Sequence, residues 1–202
     1  MVAIVEYGVG NVFSLLSSFA AIGVEAALTS DKAVLSRASH ILLPGVGAFG
    51  DAADKLRSTG LDRVLVDEAK EGKPLLGICL GMQLLFERSL EYGIHRGLGL
   101  LEGDILPLDA LIPSAYKIPH TGWNALSFKQ ESRLFSHIKD GDFVYFVHSY
   151  YAACQKECLL ATAEYGKDIT AAVAKGNVYG CQFHPEKSGE VGLQILRGFA
   201  EL

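Results

Sequence analysis

The chain has 202 residues, half of them apolar and a fifth charged, which excludes intrinsic disorder and suits one domain, residues 1–202, that buries roughly 70% of its unfolded surface without disulfides or metal. Its net charge of −5 comes without a basic cluster, which argues against nucleic acid or anionic membrane as a partner. No apolar stretch approaches the ~20 residues of a membrane helix, and the opening Met1-Val2-Ala3-Ile4-Val5-Glu6 lacks the basic region expected of a signal peptide.

In chain order, short β-branched runs alternate with helical patterns. Val2–Glu6 reads as a strand, and 11–22 as a helix with apolar residues at 12, 15, 16, 19 and 22. Strands follow over 24–28 and 40–43, the latter stopped by Pro44-Gly45. Helices are expected over 48–59 and 61–71, then a buried strand over 74–78 and a helix from about Leu80 to Glu91. This alternation implies a parallel sheet covered on both faces. After about Gly97 strand-like pieces crowd together, at 101–106, 116–118, 142–147, 159–164, 169–174 and 178–183. Lys175-Gly176-Asn177 reads as a hairpin turn, and a last helix spans about 190–201. The expected fold class is therefore α/β: an open, mostly parallel sheet flanked by helices, with antiparallel strands added in the C-terminal half. Glycine, at 22 residues against a usual ~7% of a chain, points to many tight turns.

Four cysteines occur, Cys79, Cys154, Cys158 and Cys181, with no Cys-x-x-Cys; reduced thiols and a cytoplasmic location are the natural reading. Each is by default a small buried hydrophobe. Cys79 departs from that default. A buried strand runs into Gly77-Ile78-Cys79-Leu80-Gly81 and a helix begins directly after, the cysteine counterpart of the strand–turn–helix nucleophile elbow. Glycines clear space around a turn too sharp for larger neighbours. The helix start would place free N–H groups beside the sulfur, favouring the thiolate and able to receive an oxyanion.

A cysteine nucleophile needs a base and a group to orient it. Among six histidines, His184 stands out in Gly180-Cys181-Gln182-Phe183-His184-Pro185-Glu186. Pro185 biases it to extended backbone, and Glu186, two residues on, can reach the imidazole and fix its tautomer. His148 is the next candidate base. Cys181 with His184 gives two metal ligands and no partner pair, so no metal site is expected. Pro44-Gly45-Val46-Gly47 follows a strand at the carboxyl edge of the sheet, where ligands bind in such folds, and could present an N–H to the reaction centre. Gly8-Val9-Gly10-Asn11 suggests a dinucleotide loop, but the third glycine of that pattern falls on Phe13; no cofactor is expected.

Together these segments resemble the class I (triad) glutamine amidotransferases, whose three signature regions match Gly77–Gln83, Gly180–Glu186 and Pro44–Gly47 in order. More narrowly, Tyr7–Asn11, Gly97–Leu101, Pro119-His120-Thr121-Gly122-Trp123-Asn124, Val147–Tyr150 and His184–Gly189 are similar to the glutaminase subunits of imidazole glycerol phosphate synthases, over essentially the whole chain. Glu6 departs from the Asp commoner there. The resemblance implies catalysis by Cys79, His184 and Glu186. It implies an oxyanion hole drawn from Gly45, Val46, Gly47 and Leu80, and a glutamine site of Gly47, Gln83, His148, Ser149 and Tyr150. It also implies a cyclase subunit as heterodimer partner, to which ammonia passes. Asn11, Trp123 and Asn124 are the expected interface, Trp123 because a lone Trp in a polar turn-like segment suits an anchor. An amidotransferase subunit serving anthranilate or aminobenzoate synthesis, and a non-catalytic scaffold of the same fold, stay open as alternatives.

Overall fold

A computed structural model describes residues 1–202. The main sheet has the order β2-β1-β3-β4-β14-β13-β12-β9. Its strands are β1 (Val2–Val5), β2 (Ala26–Thr29), β3 (His40–Leu43), β4 (Leu75–Ile78), β9 (Ser127–Phe128), β12 (Leu159–Glu164), β13 (Asp168–Lys175) and β14 (Val178–Cys181). Pairing is parallel from β2 across to β14 and antiparallel beyond it. The expected α/β fold with antiparallel additions is what forms.

The central strands are apolar throughout because both faces are covered. Val2 and Ile4 enter one core while Ala3 and Val5 enter the other, and β3 and β4 divide in the same way. Helices α3 (Phe49–Thr59), α4 (Leu61–Lys70) and α2 (Lys32–Arg37) cover one face. Helices α1 (Val12–Ala21) and α6 (Gly189–Ala200) cover the other. The chain steps from β1 outward to β2 and then back to β3 on the other side, which opens a crevice at the carboxyl ends. Loops Tyr7–Asn11, Pro44–Gly47, the β4 turn and the segment after β14 all leave the sheet at those ends.

The structure differs from the sequence expectation in several places. Helix α2 had no periodic signal because it spans one and a half turns; its start was marked only by Asp31, whose side chain accepts the Ala33 N–H at 2.8 Å. The helix expected over 80–91 ends at Leu84 as α5 (Leu80–Leu84), and β5 (Phe86–Ser89) takes over. The apolar run Leu84-Leu85-Phe86 fits either element, and a tertiary partner decides: β5 pairs with β7 (Leu101–Pro107) in a sheet ordered β11-β7-β5-β6, with β6 (His95–Arg96) and β11 (Tyr150–Ala153) at the edges. Gly97 makes this possible, since a Cβ there would lie 2.1 Å from the Phe86 carbonyl oxygen. Residues 116–118 form an irregular, bent segment, not a strand. Pro119 has no N–H to give a ladder, and the strand begins one residue later as β8 (His120–Ala125), antiparallel to β10 (Phe143–His148).

Candidate active site

β4 ends at Ile78 and α5 begins at Leu80, so the chain turns within one residue. Cys79 takes φ 54° and ψ −112°, a region that costs a non-glycine residue on the order of 1–3 kcal/mol. The surroundings hold it there: its N–H donates to the Cys181 carbonyl at 2.7 Å and its own carbonyl accepts from the Gln83 N–H at 3.1 Å. A Cβ on Gly81 would lie 1.9 Å from the Leu43 carbonyl oxygen, and one on Gly77 would lie 2.6 Å from the Gly81 carbonyl oxygen. The glycines let the elbow pack directly on the end of β3.

The Pro44–Gly47 loop rests on the elbow in turn. A Cβ at Gly45 would meet the Gly81 nitrogen at 2.7 Å and the Leu80 Cβ at 2.9 Å. From the other side, the Tyr7 hydroxyl donates to the Pro44 carbonyl at 2.7 Å, and Gly10 leaves room for the Pro44 ring. Burial, with Cys79 nearby, raises the Tyr7 phenol well above its ordinary range, so it stays a donor. Gly47 adopts φ +96° with open space around it, so here it is the backbone conformation, not crowding, that favours glycine.

β14 lies beside β4 and delivers His184. Its backbone is extended, and Pro185 opens the short 3-10 turn Pro185–Lys187 that swings Glu186 back. The Glu186 carboxylate lies 2.8 Å from the His184 Nδ1, with both side chains almost wholly buried. The segment is clipped to β10: the His184 N–H donates to the Tyr145 carbonyl at 2.9 Å, the Tyr145 N–H to the Ser188 Oγ at 3.0 Å, and the Ser188 hydroxyl to the His184 carbonyl at 2.6 Å. Burial opposes protonation of His184, but the neighbouring Cys79 and Glu186 outweigh it and lift the imidazole to about 9. Cys79 and His184 are close enough for that coupling, yet their contact lies outside hydrogen-bond geometry and leaves Nε2 without a partner.

A cavity of about 570 Å³ opens at this point. Val46, Gly47, Cys79, Leu80, Gln83, His148, Ser149, Tyr150 and His184 line it, which gathers the expected nucleophile, base, oxyanion and glutamine positions around one space. Gly45 stands just behind, against Leu80. Asn11, Trp123 and Asn124 do not line it. Asn11 starts α1 without a side-chain capping bond. Trp123 is 55% exposed and edge-on to Tyr145. Asn124 points to the opposite face of β8 from Trp123, as successive strand residues do. Its amide donates to the Glu164 carbonyl at 2.8 Å and its Oδ1 accepts the Ala125 N–H at 2.8 Å, both within the chain.

Other residues belong to the site that sequence reasoning missed. Gln182 is fully buried; its Oε1 accepts from Gln83 Nε2 at 3.0 Å and its Nε2 lies 3.8 Å from Cys79 Sγ. A polar residue between the apolar Cys181 and Phe183, just past the end of β14, is the signal available. Glu91, Asp109 and Lys187 bring charge to the cavity, and Glu91 accepts the Phe49 N–H at 2.6 Å. Glu91 was hidden by the helix wrongly extended to it, and Asp109 by a topology no local pattern reveals. The remaining thiols do not line the cavity: burial pushes Cys181 up, Cys158 is buried in the core and Cys154 is half-buried against it.

Comparison with known proteins agrees with this geometry. Residues 3–201 match the family model described as glutamine amidotransferase class-I. The chain is 52% identical over 199 residues to the imidazole glycerol phosphate synthase subunit HisH of Bacillus cereus, covering 98% of this chain and 93% of that one. It is 49% identical, with the same coverage, to the subunit of that name from Bacillus cytotoxicus. In fold it resembles a crystal structure titled glutamine amidotransferase (TM-score 0.78, 20% identity, covering 100% of this chain and 98% of that one). PurLQS from Thermotoga maritima is similar too (TM-score 0.76, 23% identity, covering 99% and 97%).

Proposed function

The chain belongs to the class-I glutamine amidotransferases, and from that premise we propose that it is the glutaminase subunit of imidazole glycerol phosphate synthase. It hydrolyses glutamine to glutamate and ammonia and hands the ammonia to a cyclase subunit in histidine biosynthesis. The observation that carries the reading is that the segments leaving the adjacent parallel strands β4 and β14 bring Cys79 and His184 to one cavity, with Glu186 fixed on His184. The near-full-length identity to HisH proteins favours this partner over an anthranilate or aminobenzoate synthase. An intact Cys79, His184 and Glu186 count against a silent scaffold.

In the proposed mechanism the Cys79 sulfur attacks the side-chain amide carbon of glutamine. The developing oxyanion is received by the Leu80 N–H and by an N–H of the Gly45–Gly47 loop. His184 gives its proton to the amide nitrogen, ammonia leaves, and a glutamyl thioester remains. Water then attacks with His184 as base, releasing glutamate and restoring the thiol. Glu186 holds His184 with Nδ1–H toward it, so that Nε2 faces the thiol. Glu91 and Asp109 suit the α-ammonium of glutamine and Lys187 its carboxylate, opposite charges lining one cavity.

Residues 1–202 are taken as one working unit. No helix is long and apolar enough to cross a membrane, and all four cysteines are free thiols; a cytoplasmic location accords with both. The test is co-purification with the cyclase, then glutamate release with and without the cyclase's nucleotide substrate. Low activity alone and activation in the complex are expected. A glutamine-analogue electrophile should label Cys79; equal labelling of Cys154, Cys158 or Cys181 overturns the assignment.

A further inference from the structure

Besides His184, the cavity wall contains a second imidazole that the mechanism above does not use. His148 is 6% exposed. Its Nδ1 lies 2.8 Å from the Tyr150 carbonyl; a carbonyl only accepts, so Nδ1 carries the hydrogen. Its Nε2 lies 3.0 Å from the Nδ1 of His120. Burial keeps both rings neutral, His148 pulled down to about 3 and His120 to about 4. One tautomer arrangement satisfies the pair: His120 donates from Nδ1, and His148 accepts at Nε2. The far nitrogen of His120 then accepts from Asn124 Nδ2 at 3.4 Å, whose orientation the Ala125 N–H fixes. The His120 ring is clamped between Tyr165 and Phe146, with centroids at 4.1 and 4.8 Å and planes within 26°. At the other end, the Tyr150 carbonyl also accepts from Gln83 Nε2 at 3.3 Å. Gln83 continues through Gln182 to the Cys79 sulfur.

Resting on the glutaminase reading above, we propose that His120 is a positioning residue of the site: its Nδ1–H occupies the only free lone pair of His148, so that His148 holds the Tyr150 carbonyl and Gln83 in the glutamine-facing wall and takes no proton from the reaction. His120 itself lines no part of the cavity. It acts from a strand that the elbow, the base and the oxyanion loop do not belong to.

The test uses the complex with the cyclase and reads glutamate formation. His120→Phe keeps a stacked ring but has no donor, leaving His148 Nε2 buried and unpaired. The expected result is a KM for glutamine raised about ten-fold, with kcat reduced less than about three-fold. His120→Asn restores an N–H near the Nδ1 position and gives up the stack. It should bring KM back to within about three-fold of the wild type even though it melts earlier. An unchanged KM in His120→Phe overturns the proposal. So does a KM in His120→Asn as poor as in His120→Phe, which would make His120 a packing residue. Should both variants fail to fold, ¹⁵N spectra of the wild-type imidazoles decide: His120 and His148 both neutral with hydrogen on Nδ1 at pH 7 is expected, and an Nε2–H form or titration near neutrality in either overturns it. A wild-type complex that forms no glutamate would instead sink the glutaminase reading on which the proposal rests.

Discussion

Two buried pairs built on histidine meet at one cavity, each through one ring, His184 and His148, and they behave in opposite ways. His184 with Glu186 is lifted to about 9; His148 with His120 is drawn down to about 3 and 4. All three rings are at most 6% exposed, so burial alone does not separate them. The partner does. A carboxylate and a sulfur beside His184 reward a proton, whereas His148 meets a backbone carbonyl and another neutral ring, with His184 itself repelling any charge placed there. A single cavity thus holds one imidazole ready to carry a proton and one barred from it.

Removing the nucleophile has the largest effect. Cys79→Ala should abolish glutamine hydrolysis, a loss of at least about 10⁴-fold in glutamate release, while circular dichroism and partner binding stay intact. It also sharpens the contrast: without the sulfur, the NMR titration of His184 should fall from about 9 toward the ordinary imidazole range. The next test removes the proton carrier. His184→Ala should cost about 10³-fold or more in kcat and Glu186→Gln less, since an orienting carboxylate acts only through its histidine. If His184→Ala kept its rate, the distinction between the pairs would collapse, with His148 the remaining imidazole in the wall.

Stability should record the same opposition. His184 binds its proton more tightly folded than unfolded, so its contribution is complete below the unfolded value near 6.5. It is lost as pH rises through about 9. His148 and His120 bind protons less tightly when folded. Their contribution is present above 6.5 and is lost as pH falls toward about 4 and then 3. Urea midpoints should therefore peak between about pH 6 and 7, with the alkaline limb on the order of 2 kcal/mol. His184→Ala should flatten the alkaline limb, and His120→Phe should shallow the acid one. Limbs unmoved by these changes would mean that other groups set the profile.

The two pairs were not equally legible in the sequence. His184 and Glu186 sit two residues apart on extended backbone beside a proline, so local chemistry alone brings them together. The Cys79 elbow was readable for the same reason, each glycine being demanded by a contact within a few residues or with the next strand. His120 and His148 are 28 residues apart and meet only because β8 and β10 pair in register, His120 against His148. No local pattern marks that pairing: the strand-like run lies at 116–118, ahead of β8. Likewise α1, β3 and α4 followed from periodicity, whereas β5 was lost inside an extended helix because its partner β7 lies beyond a glycine-rich turn. The order of strands at the carboxyl edge explains why residues from four separate loops converge, and no periodic pattern encodes that order.

The smallest expected effect on stability concerns the strand that touches both pairs. On β8, Asn124 points inward to His120, while Trp123 points outward and meets Tyr145, their centroids 6.1 Å apart. The Tyr145 ring has Lys187 Nζ 5.9 Å above it, and the Tyr145 backbone carries the clip on His184 and Ser188. One strand thus presents its inner face to the neutral pair and its outer face to the segment bearing the charged one. Trp123 is more than half exposed, so Trp123→Ala forfeits one edge-on aromatic contact and little core, about 1 kcal/mol or less. A large aromatic left exposed on a strand's outer face is what an interface anchor looks like. The variant should therefore bind the cyclase at least about ten-fold more weakly by titration calorimetry while melting within a few degrees of the wild type. Asn124→Ala should do the reverse, melting earlier through the lost Glu164 and Ala125 bonds but binding normally. Normal binding by a Trp123→Ala chain that melts much earlier would place Trp123 in the core, and would leave the cyclase to reach the charged pair by some other surface.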